Sequence, residues 1–460
     1  VSTIGMIGYS SSLAASCASE TPESSFTFRV SHGCTYAPYD LAARRVSATS
    51  ERSVVLPSPI DDSLAYAGAD LGNVYAPFHT HFRVWAPTAA SVQLVLLRGA
   101  DEIHPMTLDQ QGTWVATVEA DLHRVPYLYR LEIGGRWRVV VDLERTSPSH
   151  WTNERPVFSG EPVDAVFYEL HTRDFSIDAD SGMQPRWRGK WLALTEHGTL
   201  TPSGNRSGID TIRELGVTHL QLLPIYDFGS VDEAKPEQYN WGYDPVQFNV
   251  PEGSYSTSPA DPCSRIIELK AAIQSLHDDG LRVVMDVVYN HVFDAKAHAF
   301  EALVPGYYFR MNDDGSFGDA SACGNEVASE RAMVRKYIVD SIVHWAREYH
   351  LDGFRFDLMG ILDVETMQQI RVALDDIDPT IVIIGEGWSM GQLLAPERRA
   401  DQQNAVRMPR IGHFNDGFRD ASKGSVFVAT EAGFVQGNLA SRESVVDGIV
   451  GNVRYSETVG

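Results

Sequence analysis

The sequence predicts an α/β fold, a (β/α)8 barrel of the TIM type preceded by a small β-sandwich. After Pro162, apolar strand-like segments alternate with helical ones, which is typical of a parallel sheet covered on both faces. Charged residues follow several of these strands, as they do at the catalytic face of such barrels. Before Pro162, short alternating segments from His79 to Leu131 are separated by turn residues, which indicates the sandwich.

The barrel region contains six candidate strands and four candidate helices. The strands are residues 163–171, 217–223, 281–288, 353–357, 381–385 and 411–414; the helices are 209–215, 264–279, 330–350 and 364–375. A closed barrel of this type needs eight strands, so we expect an incomplete one. The predicted domains are a partly disordered or β lead-in (1–75), the sandwich (76–145) and a catalytic barrel lacking its C-terminal strands (160–460).

Composition narrows the possible partners. The 460-residue chain carries a formal net charge of −23, which argues against binding nucleic acid or anionic membranes and suits a neutral substrate. No apolar run is long enough for a membrane span. The Ser-rich, weakly apolar stretch 4–18 is interpreted as a disordered leader, with the remnant of a secretion signal as the alternative. We expect a secreted or cell-surface protein and leave a cytoplasmic location open.

Two strand ends carry the predicted chemistry. The segment Gly-Phe-Arg-Phe-Asp ends on Asp357, and the next strand ends on Glu386. A carboxylate at the end of a buried strand is costly unless it faces a cleft and has a partner, and Arg355 lies two residues before Asp357 on the same strand face. Two neighbouring carboxylates of this kind are what a glycosidase requires.

Two further segments add candidate sugar contacts. The loop YNWGYDP, residues 239–245, places aromatic rings and a carboxylate around a glycine. Sugars stack on rings and bond to such acceptors, although an aromatic loop packed for stability would have the same composition. Asp286 and His291 flank the end of the third strand, where they could bond sugar hydroxyls.

In combination these motifs resemble type I pullulanase, a debranching enzyme of the alpha-amylase superfamily. The matching pieces are YNWGYDP, DVVYNHV from residue 286, DGFRFDLMG from 352, GEGW from 385 and HFNDGFRD from 413. The sandwich, with FRVWAP from residue 82, resembles the starch-binding-type module that precedes such barrels. The resemblance implies hydrolysis of α-1,6 branch linkages in pullulan, amylopectin, glycogen and related α-glucans by a retaining double displacement.

The resemblance also implies roles for individual residues. Asp357 would be the nucleophile and Glu386 the general acid/base. The ring of Tyr243 would stack under the sugar at the cleavage point. The other implied substrate-binding residues are Asp244, Asp286, His291, Arg355, Trp241 and Trp388.

No cofactor is required by this scheme, but bound Ca²⁺ is possible, because Asn290 resembles a calcium ligand of some superfamily members. The family's His-Asp-Asn motif on the seventh strand does not occur in the chain. We therefore expect a C-terminal segment that completes the barrel to act as a partner, and no meaningful hydrolysis of pullulan by the 460 residues alone. The alternatives are an isoamylase or glycogen-debranching relative, which YNWGYDP disfavours, and a non-catalytic glucan-binding or split-enzyme fragment.

Overall fold

A computed structural model describes residues 62–98, 100–123, 125–141, 151, 154–235 and 238–450. Most of the predicted lead-in, including the stretch 4–18, lies outside these described residues. Within them, no helix has both the length and the apolar character needed to cross a bilayer.

The sandwich consists of two four-stranded antiparallel sheets. Its strands are β1 (Gly72–Ala76), β2 (His79–Trp85), β3 (Ser91–Arg98), β4 (Ala100–Pro105), β5 (Thr107–Leu108), β6 (Thr113–Val118), β7 (Tyr127–Ile133) and β8 (Arg136–Val141). The strand orders are β1-β2-β6-β5 and β4-β3-β7-β8. Apolar residues on the inner faces, among them Phe82, Leu94 and Leu131, are almost fully buried between the sheets.

A six-stranded parallel sheet follows. It contains β9 (Phe167–Leu170), β10 (His219–Leu222), β13 (Arg282–Val287), β14 (Gly353–Phe356), β15 (Val382–Gly385) and β16 (Gly412–His413). The order β16-β15-β14-β13-β10-β9 and the parallel pairing are those of consecutive strands of a (β/α)8 barrel. The predicted fold class, an incomplete barrel behind a sandwich, is therefore confirmed, and all six predicted strands are present.

Seven helices connect or flank these strands in the described part of the chain. They are α1 (Gly208–Glu214), α2 (Pro262–Asp278), α3 (Ala299–Leu303), α4 (Ala332–Glu348), α5 (Val364–Asp375), α6 (Asp416–Lys423) and α7 (Arg442–Val450). Two of the longer ones begin at side-chain caps: the Asp261 carboxylate accepts from the backbone N–H of Cys263 at the start of α2, and Asp363 accepts from the N–H of Thr366 at the start of α5. Helices α3, α6 and α7 were not predicted, because they are short and lack a long apolar period.

A two-stranded antiparallel sheet projects from the barrel between β10 and α2. It pairs β11 (Tyr226–Phe228) with β12 (Pro245–Pro251), and the YNWGYDP loop leads directly into β12. The sequence did not predict this sheet, since three residues are too few to show a strand period. Its consequence is that the loop is held against the carboxyl ends of the barrel strands.

Candidate active site

The site lies where three neighbouring strands end. In the sheet register Asp286 of β13 is opposite Arg355 of β14, and Phe356 of β14 is opposite Gly385 of β15. Asp357 and Glu386 are the residues that follow β14 and β15, so parallel pairing brings both carboxylates to the same edge of the sheet. This arrangement follows from the sequence, because each of these two carboxylates comes directly after a short strand that pairs in parallel with its neighbour.

Arg355 joins the three carboxylates. Its Nη1 lies 2.8 and 3.0 Å from the two carboxylate oxygens of Asp286 and 3.1 Å from Oδ1 of Asp357. Its Nη2 lies 2.5 Å from Oε1 of Glu386. Because one guanidinium contacts both Asp357 and Glu386, these carboxylates are close neighbours, as a retaining mechanism requires.

Two aromatic rings flank the same guanidinium. The centroid of the Tyr243 ring is 5.9 Å from Cζ of Arg355, and that of Phe414 is 5.6 Å away. Both distances are within the range of cation–π attraction. The rings and the carboxylates together leave Arg355 almost inaccessible to water.

The charges in this cluster are not balanced. Three carboxylates surround one guanidinium, so retention of a proton is favoured. Burial raises the pKa of Glu386 above its ordinary value, although Arg355 opposes the shift. Burial likewise raises the pKa of Asp286 to about 8, again against Arg355. Burial acts to lower the pKa of Arg355, but Asp286 and the other acidic groups hold it well above its usual range, so the guanidinium stays charged.

Tyr243 and His291 complete the inner wall of the site. The Tyr243 hydroxyl donates to Oδ2 of Asp286 at 2.7 Å, and burial raises its pKa well above the usual range. His291 Nε2 lies 2.8 Å from the carbonyl oxygen of Tyr243, and burial lowers the pKa of this imidazole to about 4. The Tyr243 hydroxyl is therefore bonded to Asp286, and His291 contacts the backbone of the loop that carries Tyr243.

The remaining predicted substrate-binding residues have contacts with residues other than Arg355 and its carboxylates. Asp244 accepts from Nδ2 of Asn240 at 2.9 Å, a bond within the YNWGYDP loop. Trp241 is 52 % exposed and donates through Nε1 to the Tyr239 hydroxyl. Trp388, two residues after Glu386, is half-buried, and its ring lies 5.7 Å from Cζ of Arg419. Their roles toward a sugar stay predictions.

The backbone after the nucleophile candidate is strained and tightly packed. Leu358 has φ 40°, in the left-handed region that disfavours branched side chains, and its N–H donates to Oε2 of Glu386 at 3.2 Å. At Gly360 a Cβ would lie 1.9 Å from the carbonyl oxygen of Trp388, so only glycine fits. This close approach fixes the segment that follows Asp357 against the segment that follows Glu386.

Two contacts of the site were missed in the sequence. Asn290 donates to Asp357, and Phe414 covers Arg355. Asn290 stands in DVVYNHV and Phe414 in HFNDGFRD, so the motifs contained them. Their partners depend on side-chain directions that no sequence pattern specifies.

A second cluster of carboxylates bears on the predicted calcium. Within the described residues, one group of three potential ligand side chains converges to within 4.8 Å: Asp227, Glu233 and Glu252. Oxygen ligands of this kind suit Ca²⁺, but Arg265 already contacts both Glu233 oxygens at 3.0 and 2.6 Å. Both Glu252 oxygens accept backbone N–H groups, and burial raises the pKa of this carboxyl to about 7. A calcium ion bound there would lie beside the Arg265 guanidinium and would share carboxylate oxygens that already accept hydrogen bonds, and calcium binding stays a prediction.

Comparison with known proteins identifies the relatives of this arrangement. Residues 70–143 match the family model of carbohydrate-binding module 48 (isoamylase N-terminal domain). The chain is 44 % identical over 417 residues to pullulanase from Bacillus subtilis, a match that covers 87 % of this chain and 58 % of the relative. Pullulanase 1 (chloroplastic) from Arabidopsis thaliana is 32 % identical, with 84 % and 46 % covered.

A solved structure gives the same result. The pullulanase from Paenibacillus barengoltzii, determined in complex with maltohexaose and alpha-cyclodextrin, superposes with a TM-score of 0.81 at 50 % identity. The superposition covers 86 % of this chain and 65 % of that one. Over most of its length the chain is therefore homologous to the pullulanases, and it spans about half to two thirds of their length.

Proposed function

We propose that this chain carries the catalytic pair of a retaining hydrolase that cleaves α-1,6 branch linkages in α-glucans. One observation supports it most directly: a single buried guanidinium, Arg355, bridges the two carboxylates that end neighbouring barrel strands. A glycosidase that retains configuration needs two carboxyl groups about 5–5.5 Å apart, one ionised and one protonated.

In the first step Asp357 acts as the nucleophile. Its carboxylate attacks the anomeric carbon and forms a glycosyl ester, while the bond to the glycosidic oxygen breaks. Glu386 gives its proton to that oxygen, so the departing chain leaves as a neutral alcohol. The raised pKa of Glu386 suits this task, because burial keeps the acid protonated nearer to neutral pH.

In the second step the roles of Glu386 reverse. Its carboxylate now removes a proton from water, and the resulting oxygen attacks the same anomeric carbon. The ester to Asp357 breaks, and the carboxylate is regenerated. Two inversions at one carbon give net retention. Arg355 stays bonded to the cluster throughout and offsets the negative charge that moves between the two acids.

The proposed substrates are pullulan, amylopectin and glycogen, with Tyr243 as the ring under the sugar whose bond is cleaved. Homology to pullulanases and the match to a carbohydrate-binding module support a glucan as the substrate class. A C-terminal segment that supplies the rest of the barrel is part of the proposal, because the described sheet has six strands. An enzyme that is exported would meet such polymers outside the cell.

The test uses the chain fused at its C-terminus to the remaining C-terminal part of the Bacillus subtilis relative, called here the extended chain. It should release maltotriose from pullulan with retained anomeric configuration. Asp357→Asn should reduce this rate by several orders of magnitude and leave glucan binding intact. The matched control is Asp376→Asn, the same change at an exposed position after helix α5.

Two results would count against the proposal. Activity of Asp357→Asn within tenfold of the parent would remove the nucleophile assignment. Debranching of amylopectin without cleavage of pullulan would indicate the isoamylase-type specificity instead.

A further inference from the structure

Asn290 is fully buried at the end of β13, beside the proposed nucleophile, and its amide group makes an unusual pair of bonds. The two hydrogens of Nδ2 are directed to two oxygens of the same residue: Oδ2 of the Asp357 carboxylate at 2.9 Å and the Asp357 carbonyl oxygen at 2.8 Å. One side chain thus holds both the main chain and the side chain of Asp357.

The bond from the Asn290 amide to the carbonyl oxygen of Asp357 continues the hydrogen-bond ladder between β13 and β14 beyond the ends of these strands. The N–H of Asp357 still bonds to the carbonyl oxygen of Val287 at 2.9 Å, as in a regular parallel ladder. After this point the chain turns sharply at Leu358, with φ 40°. The Asn290 amide takes the place of the next backbone N–H, so the carbonyl of Asp357 keeps a partner beside a strained residue.

The orientation of the amide follows from the acceptors that Asp357 presents to it. Asp357 offers only acceptors to it, so Nδ2 must face Asp357, and Oδ1 then faces Nδ1 of His291 at 2.5 Å. The Asn290 backbone is held as well, since its carbonyl oxygen accepts from the N–H of Val327 at 2.8 Å. Because the Asn290 backbone is held in place, its amide cannot follow a moving carboxylate, and so restrains it.

We propose that Asn290 is a positioning residue that locks the Asp357 carboxylate in the orientation for attack on the anomeric carbon. The inference rests on the proposed function, because it matters only if Asp357 is the nucleophile. Arg355 holds the other oxygen, Oδ1, at 3.1 Å. With one oxygen on Arg355 and the other on Asn290, rotation of the carboxylate about its last bond is blocked in both directions. Preorganisation of this kind lowers the barrier, and a misplacement of about 1 Å costs on the order of 10²-fold in rate.

The experiment compares Asn290→Ala with Asn325→Ala in the extended chain. Asn325 is a matched control because it is also buried and also bonds loop backbone, through Nδ2 to the carbonyl of Val292 at 2.7 Å, without contacting Asp357. Asn290→Ala should lower kcat by on the order of 10²-fold with little change in KM or in glucan affinity. Asn325→Ala should lower the melting temperature and leave kcat within about threefold of the parent, because this side chain does not position Asp357.

Two readouts separate positioning from packing. An α-maltosyl fluoride needs no proton on its leaving group, so its hydrolysis should be as impaired in Asn290→Ala as that of pullulan, because nucleophilic attack itself is slowed. Asn290→Asp keeps the volume but turns an acceptor toward Asp357, so at neutral pH it should be slower than Asn290→Ala. If the side chain only fills space, Asn290→Asp will be the faster of the two, and the proposal fails.

The same assays distinguish this proposal from the function on which it rests. If Asp357→Asn stays active, the catalytic assignment itself is wrong. If Asp357→Asn is inactive but Asn290→Ala keeps kcat within threefold, only the positioning role is wrong. If Asn290 instead acts by binding calcium, removal of calcium with a chelator should lower kcat of the parent to the value of Asn290→Ala. That result would also overturn the proposal.

Discussion

Replacement of Arg355 by methionine should destabilise the protein in a strongly pH-dependent manner. Arg355→Met keeps much of the side-chain volume and removes the one guanidinium that contacts Asp286, Asp357 and Glu386. Removal of one partner from a buried ion pair costs about 3–5 kcal/mol, since the remaining charge has no compensation. Against a typical total of about 5–15 kcal/mol, this loss should be large at pH 8.

The sign of the pH dependence follows from proton uptake. Without Arg355, the buried carboxyl groups bind protons more readily in the folded protein than in the unfolded chain. Stability must then fall as pH rises, because the folded state binds more protons. We therefore expect the difference between parent and Arg355→Met to be greatest at pH 8 and substantially smaller at pH 5.

Denaturant unfolding of the extended chain at both pH values measures this difference. A double-mutant cycle sharpens it: Asp286→Asn removes one of the stranded charges, so Arg355→Met combined with Asp286→Asn should be more stable than the sum of the single effects predicts. Equal losses at pH 5 and pH 8, together with additive single effects, would refute the electrostatic account of the cluster.

Three other changes test separate parts of the structure. Gly360→Ala should lower the free energy of unfolding by about 1–3 kcal/mol and lower the rate of pullulan hydrolysis at least tenfold, because the alanine Cβ would overlap the Trp388 carbonyl oxygen. An unchanged free energy of unfolding and an unchanged rate would contradict the packing described. Tyr243→Phe keeps the ring and removes one of the two donors to Oδ2 of Asp286, which still accepts from Arg355, so the free energy of unfolding should fall by about 0.5–1.5 kcal/mol. Glucan affinity should be kept, as calorimetry can check, and a loss of affinity would show that the hydroxyl itself contacts the sugar. Burial raises the pKa of Glu252 to about 7, so between about pH 4.5 and 7 the folded state binds a proton that the unfolded chain does not, and the free energy of unfolding falls by about 3 kcal/mol as pH rises through that window. Glu252→Gln should flatten this pH dependence in denaturant midpoints, and an unchanged pH dependence would show that Glu252 does not cause it.

The strands and the acids of the site were predictable because they depend on local pattern. Strands β13, β14 and β15 are apolar until they reach the site, and parallel pairing then brings Asp357 and Glu386 together without further information. The resemblance to pullulanases, confirmed by the comparisons, depended on the same short segments.

Other parts depend on contacts between distant side chains. Phe414 reaches Arg355 because β16 pairs with β15, and two residues of strand are too few to predict its direction. Asn290 was interpreted as resembling a calcium ligand, whereas its amide hydrogens are both directed to Asp357. The left-handed Leu358 could not be predicted either, since nothing in a leucine favours that conformation and only the surrounding contacts impose it.

The central claim is that Asp357 attacks the sugar, and identification of the covalent intermediate tests it most directly. In an α-maltotriosyl fluoride that carries a second fluorine on the sugar ring, the ring fluorine slows both steps and the fluoride leaving group speeds the first, so the glycosyl ester should accumulate on the extended chain. Peptide mass spectrometry should then place one maltotriosyl group on Asp357, and Asp357→Asn should carry none. A label on another carboxylate, or none in a chain that is cleaving pullulan, would contradict the account.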